Sequence, residues 1–138
     1  MKVLFDTNVV LDVLLDREPF APVSMRLFSK VEAGEIGGWI CATTVTTIHY
    51  LASKEIGAVR ARGAVETLLS LFEVASVNRV VLESALRSGF DDFEDAVIHE
   101  AARHVVADAI ITRDVHGFER ATLRVYAPME FEKALSAL

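Results

Sequence analysis

The sequence predicts a three-layer α/β sandwich: a mostly parallel sheet of roughly five strands with helices on both faces. Three observations lead there. Short apolar runs of strand length alternate along the chain with amphipathic stretches of helix length. The helical stretches fall between the strands, and a crossover of that size makes the strands it joins parallel. The hydrophobic fraction is 52%, slightly above the usual range, which suits a sheet buried on both faces.

The elements follow in order. Lys2–Phe5 reads as the first strand. Asn8–Leu15 follows as a short helix with apolar Val9, Val10, Val13 and Leu14. Glu18-Pro19-Phe20-Ala21-Pro22 breaks it, and Pro22 suits a helix's first turn, where a missing N–H costs nothing. Val23–Ala33 places Leu27, Phe28 and Val31 on one side and stops at Gly34. Gly38–Ala42 is the second strand. Thr43 or Thr44 caps a helix to about Lys54, with Val45, Ile48, Leu51 and Ala52 inward. Ala58–Leu71 is a further helix. Phe72–Val77 alternates as the third strand, and Asn78 caps Val80–Arg87. Phe90-Asp91-Asp92 opens a longer helix to about Val106. Asp108–Thr112 is the fourth strand and runs into Arg113-Asp114. Thr122–Tyr126 is the fifth, and Pro128 begins a terminal helix. No repeat, low-complexity tract or linker interrupts this pattern, so residues 1–138 read as one domain.

Composition narrows the function. The net charge is −6, from 14 Lys and Arg against 20 Asp and Glu. A protein that grips nucleic acid chiefly by neutralising phosphates is usually basic. Any nucleic-acid role here therefore rests on local arginines around a metal-charged site, not on a global positive field. No apolar run reaches the roughly 18 residues of a membrane span, so no membrane role is expected. A single cysteine, Cys41, excludes an internal disulfide framework and points to a reducing, cytoplasmic setting. The apolar excess also leaves room for a subunit interface, hence a homodimer.

The chemistry lies in the acids. Asp6 ends the first strand and Asp114 follows the fourth. Asp92 and Asp95 open a helix three residues apart, on one face. Taken alone, Asp6 reads equally as a helix cap, Asp92 and Asp95 as a negative helix start, and Asp114 as a loop residue. Together they gain meaning from the rule that parallel sheets bind ligands beyond the carboxyl ends of their strands. Converging carboxylates repel one another unless a cation joins them, and oxygen-only donors suit Mg²⁺ or Mn²⁺ over zinc. Such sites hydrolyse phosphodiesters.

Four segments then carry a resemblance. Leu4-Phe5-Asp6-Thr7-Asn8-Val9-Val10-Leu11-Asp12, Ala42-Thr43-Thr44-Val45-Thr46-Thr47-Ile48-His49-Tyr50-Leu51, Asp92-Phe93-Glu94-Asp95-Ala96 and Ile111-Thr112-Arg113-Asp114 look like the ordered motifs of a PIN domain. The chain is most similar to the prokaryotic PIN proteins related to VapC-type toxins. The resemblance covers nearly the whole chain and implies a PIN-like sandwich with an acidic site. It further implies a Mg²⁺- or Mn²⁺-dependent ribonuclease acting on RNA, and an antitoxin protein as partner. Asp6, Asp95 and Asp114 match the family's first, third and fourth acidic positions, as catalytic groups and metal ligands. Asp92 becomes an extra ligand. Thr112 matches a hydroxyl that orients ligands or the attacking water, and Asn8 would hold Asp6. Thr47 stands where many PIN domains carry a glutamate in the helix after the second strand. That departure keeps a second reading open: a catalytically inactive PIN domain acting in RNA binding or assembly.

The remaining candidates are weaker. Asp12, one helical turn from Asn8, either supports the site or is solvated. Arg113 either holds a substrate phosphate beside Asp114 or makes a surface salt bridge. The four histidines, 49, 99, 104 and 116, lack zinc-ligand spacing and read as surface or interface residues. Phe90, Phe93, Phe118 and Trp39 read as core.

Overall fold

The computed structural model describes all 138 residues. Five strands form one parallel sheet: β1 (Lys2–Phe5), β2 (Gly37–Cys41), β3 (Glu73–Ala75), β4 (Ala109–Ile111) and β5 (Arg124–Tyr126). Their order is β3-β2-β1-β4-β5, so β1 is central, with β2 on one side and β4 on the other. Seven helices join and cover them: α1 (Thr7–Leu14), α2 (Ala21–Glu32), α3 (Ala42–Ile56), α4 (Ala58–Leu71), α5 (Arg79–Arg87), α6 (Phe93–His104) and α7 (Pro128–Ser136). The expected α/β sandwich is thus observed.

The two-residue pleat decides which core each strand residue enters. Val3 and Phe5 of β1, Ile40 of β2 and Ile111 of β4 face one side. There they meet Val9, Val10, Leu27, Phe28, Ile48, Leu68 and Phe131 from α1, α2, α3, α4 and α7. Leu4, Cys41 and Ile110 face the other side, against Val81 and Ala85 of α5 and Ala96, Val97, Ile98, Ala101 and Ala102 of α6. Both faces being covered is why β1 reads as a continuous apolar run. Phe5, Phe28 and Phe72 form an edge-to-face trio with ring centroids 5.0–5.5 Å apart. Losing any one ring would cost about 3–5 kcal/mol. Gly38 is required beside them: a Cβ there would lie 2.6 Å from Val31 Cγ1 and 2.7 Å from Phe72 Cδ1.

Some local expectations change. Thr43 and Thr44 do not cap α3. Cys41 occupies the cap position without a capping side-chain bond, its Sγ lying 3.2 Å from the Thr43 hydroxyl, and Thr44 instead lies buried with its hydroxyl 2.9 Å from that of Thr7. Helix α6 begins at Phe93, three residues later than read, because Asp92 Oδ1 accepts the Asp95 N–H at 3.1 Å and fixes the start. Phe93 is therefore 48% exposed and not core, whereas Phe118 is buried. No helix is long and apolar enough to cross a membrane.

Candidate functional site

The sheet order creates the site. From β1 the chain builds outward through β2 and β3, then returns to add β4 on the opposite side of β1. A crevice opens at such a reversal, beyond the carboxyl ends of the two strands. Phe5 pairs with Ile111, so the residues that follow, Asp6 and Thr112, meet at its mouth. The Asp6 N–H still donates to Ile111 O at 2.9 Å.

Asp6 is 5% exposed. Its Oδ1 accepts the Thr7 N–H at 2.8 Å, which makes Asp6 the N-cap of α1. Its Oδ2 accepts from the hydroxyl of fully buried Thr112 at 2.7 Å. Thr112 Oγ1 accepts in turn from the Asp114 N–H at 3.0 Å, and Asp114 Oδ1 accepts from the Gly117 N–H at 3.1 Å. One hydroxyl thus ties the first strand-end acid to the loop carrying the last. Asp95, on the first turn of α6, lines a cavity of about 140 Å³ together with Asp92, Asp114, Gly117 and Arg120. Gly117 matters here. A Cβ at that position would collide with the Asp114 carboxylate and stand 3.1 Å from Asp95 Oδ2. These two carboxylates therefore border one gap that only a glycine leaves open.

The electrostatics fit convergence. Burial, first of all, raises the Asp6 carboxyl above its ordinary value, and the charges of Glu94 and Asp114 add to it. Hydrogen bonds from Thr112 and Thr7 pull the other way and lose. A solvated helix cap is held low by its amide and the helix dipole; Asp6 is not. Asp95 is pushed up to about 7, by burial first and then by Asp6, Asp92, Asp114 and Glu94.

A hard divalent cation matches these donors, since they are carboxylate oxygens that repel one another around an open gap. In the present arrangement no three acidic, histidine or cysteine side chains stand close enough to hold one ion between them. Both oxygens of Asp6 are occupied by hydrogen bonds and one of Asp114 is. The unengaged Oδ2 atoms of Asp95 and Asp114 flank Gly117.

Other candidates sit elsewhere. Asn8 does not hold Asp6; its Oδ1 accepts the Arg113 N–H at 3.3 Å. Asp12 is wholly buried and takes the Arg113 guanidinium on both oxygens, at 2.6 and 3.2 Å. That guanidinium also stacks over the Phe20 ring at 4.0 Å. Thr47 lies half-buried on α3. His99 is buried, not at the surface. Its Nε2 accepts the Thr122 N–H at 3.1 Å, which puts the proton on Nδ1, an atom without a hydrogen-bond partner. The ring stacks on Phe90, and burial holds its pKa below the ordinary value.

Sequence reasoning missed Glu94, Gly117 and Arg120. Glu94 adjoins Asp95 and its charge acts on both Asp6 and Asp95; the neighbouring acids hid it. Gly117 and Arg120 lie on and just after a 3₁₀ turn, His116–Phe118, and three residues carry no period to read.

Comparison with known proteins agrees with this architecture. The sequence model of the PIN domain matches residues 2–116. No curated protein matches the chain. Among solved structures, the fold is similar to DNA-bound VapBC from Salmonella typhimurium, at 18% identity and a TM-score of 0.72, over 93% of this chain and 98% of that one. It is similar to a toxin–antitoxin complex from Klebsiella pneumoniae, at 24% identity and 0.68, over 91% and 97%. It is also similar to VapC20 of Mycobacterium tuberculosis, a toxin that cleaves the sarcin-ricin loop, at 14% identity and 0.65, over 78% and 86%. At such identities these likenesses speak to the fold.

Proposed function

This chain belongs to the PIN domain family, and on that premise we propose that it is a Mg²⁺- or Mn²⁺-dependent endoribonuclease, the toxin of a cytoplasmic toxin–antitoxin pair. The observation that carries the proposal is the gap at Gly117, bordered by Asp95 and Asp114 and tied through Thr112 to Asp6. Two of the similar structures are complexes of toxin-antitoxin type and one is of a toxin that cleaves an RNA loop, which supports the biological half of the reading.

Asp6, Asp95 and Asp114 would hold the cation, with Asp92 at the rim. When bound, it supplies the positive charge that offsets the clustered carboxylates and the phosphodiester, and it acidifies the attacking water. The chain's own residues do the rest. Thr7 and Thr112 fix the Asp6 carboxylate from two sides. Thr112 also fixes the Asp114 backbone, so the two acids keep one relative position. Before a cation binds, burial and the neighbouring acids hold the Asp95 carboxyl up to about 7, so cation binding at this residue competes with a proton. An antitoxin would cover this groove, and the acids would favour a basic side chain reaching into it. A homodimer is the expected assembly.

Thr47 favours one alternative. Helix α3 offers a hydroxyl where the family commonly has a carboxylate, so a catalytically inactive PIN domain used in RNA binding or assembly is the second reading. Cleavage of a mixed RNA pool with Mn²⁺ separates the two. Cleavage by wild type that disappears in Asp6→Asn supports the nuclease. No cleavage by either, with no Mn²⁺ uptake in calorimetry, supports the alternative. Equal cleavage by both would reveal a contaminating enzyme.

A further inference from the structure

We propose that Arg120 holds the RNA phosphate beside the carboxylates; this rests on the RNA-binding part of the reading above. The sequence directs attention to Arg113, which adjoins Asp114. The structure removes it. Arg113 is held by two hydrogen bonds to a buried carboxylate and by the Phe20 ring. Releasing it would strand Asp12, unpaired except for Arg17 at 3.9 Å, at a cost no phosphate contact on the open surface offsets.

Arg120 is the opposite case. It lines the same cavity as Asp92, Asp95 and Asp114, yet takes part in none of the protein's ion pairs. An arginine among acids normally closes onto one of them. Here the guanidinium packs by the backbone of Gly89, whose added Cβ would lie 3.8 Å from Arg120 Nη1. The guanidinium is exposed, and its donors make no hydrogen bond or ion pair within the protein. At about 140 Å³ that space admits a phosphate group. A guanidinium fork that lines one cavity with the carboxylates would fix the phosphodiester by two non-bridging oxygens. It would also place a positive charge beside the carboxylates in a chain whose net charge is −6.

The test is equilibrium binding of a 5′-fluorescein-labelled, mixed-sequence single-stranded RNA in Ca²⁺, across a salt series, so that cleavage is not needed for the readout. Wild type, Arg120→Ala, Arg120→Lys and Arg87→Ala are compared, Arg87 being an exposed arginine on α5 that controls for the lost charge. Arg120→Ala is expected to weaken binding about tenfold and to flatten the log–log salt slope by about 0.7, one phosphate's worth for a single strand. Arg120→Lys should restore the slope and only part of the affinity. Binding by Arg120→Ala within about twofold of wild type, or a slope change no larger than that of Arg87→Ala, would overturn the assignment, as would wild type that binds no RNA. Failure of the nuclease reading is recognised separately. In that case wild type does not cleave with Mn²⁺, while the Arg120 binding defect persists.

Discussion

Thr112 donates its hydroxyl proton to Asp6 Oδ2 across 2.7 Å, with both side chains shut away from solvent. A buried carboxylate keeps its charge only while such bonds persist. Thr112→Val removes the donor at nearly the same volume. The variant is expected to lose about 1–3 kcal/mol of stability, the cost of leaving a buried acceptor unpaired, and to bind Mn²⁺ at least about tenfold more weakly. Thr112→Ser should recover most of both. Urea melts and calorimetry check this; Mn²⁺ affinity unchanged in Thr112→Val would show that the hydroxyl does not organise the site.

Asp12 and Arg113 form a partly solvated pair in which only the acid is wholly buried. Removing Arg113 leaves that charge with Arg17 alone, 3.9 Å away. Arg113→Ala should cost about 3 kcal/mol, the low end of the range for breaking a buried pair. Adding Asp12→Leu should recover part of the loss, since the stranded charge is then gone. A loss under about 1 kcal/mol in denaturant melts of Arg113→Ala would show that Arg17 takes over the pair.

The sequence was most legible where periodicity is strong and least where geometry depends on a partner. The five strands and the order of the helices follow from apolar runs of two lengths, and the central strand β1 was readable residue for residue. Register was not readable. That Asp6 lies against Thr112 depends on Phe5 pairing with Ile111, a relation between segments more than a hundred residues apart. The acids could be named because a carboxylate at a strand end is costly anywhere. Of the two readings open for Arg113 the salt bridge is the one observed, but its partner could not be named, because Asp12 looks like an ordinary polar residue of a short helix until that helix is folded. His99 reads as a surface or interface residue for the same reason: the Thr122 N–H that its ring accepts lies in another segment.

Gly117 separates metal binding from folding. Its backbone needs no glycine conformation, yet a Cβ would collide with the Asp114 carboxylate. Gly117→Ala should leave thermal stability within about 1 kcal/mol of wild type, because the lost chain freedom of the unfolded state offsets part of the crowding. Mn²⁺ affinity, and RNA cleavage with it, should fall at least about tenfold. An alanine variant that binds Mn²⁺ as wild type does would place the cation away from the gap between Asp95 and Asp114.

Asp95 makes the site's charge depend on pH near neutrality. Its carboxyl is held up to about 7, from an ordinary 3.8, chiefly by burial and then by Asp6, Asp92, Asp114 and Glu94. The folded state therefore binds this proton more tightly than the unfolded chain. Stability without metal must fall as pH rises between the two values and level off above about 7. Asp95→Asn carries no such proton and escapes the loss. In EDTA the variant should melt close to wild type only at or below pH about 4, near the ordinary carboxyl value, and increasingly above it as pH rises to about 7, with the difference level beyond. Mn²⁺ should reverse the order at pH about 8, because it stabilises wild type by mass action and has lost a ligand in the variant. Since a cation must displace the Asp95 proton, wild-type Mn²⁺ affinity and cleavage should climb with pH up to about 7 and flatten beyond. Thermal melts with EDTA or Mn²⁺ across this range are the measurement. A difference between the two proteins in EDTA that stays constant with pH would mean that Asp95 is already ionised at pH about 5, and that the carboxylates do not crowd one another as their placement requires.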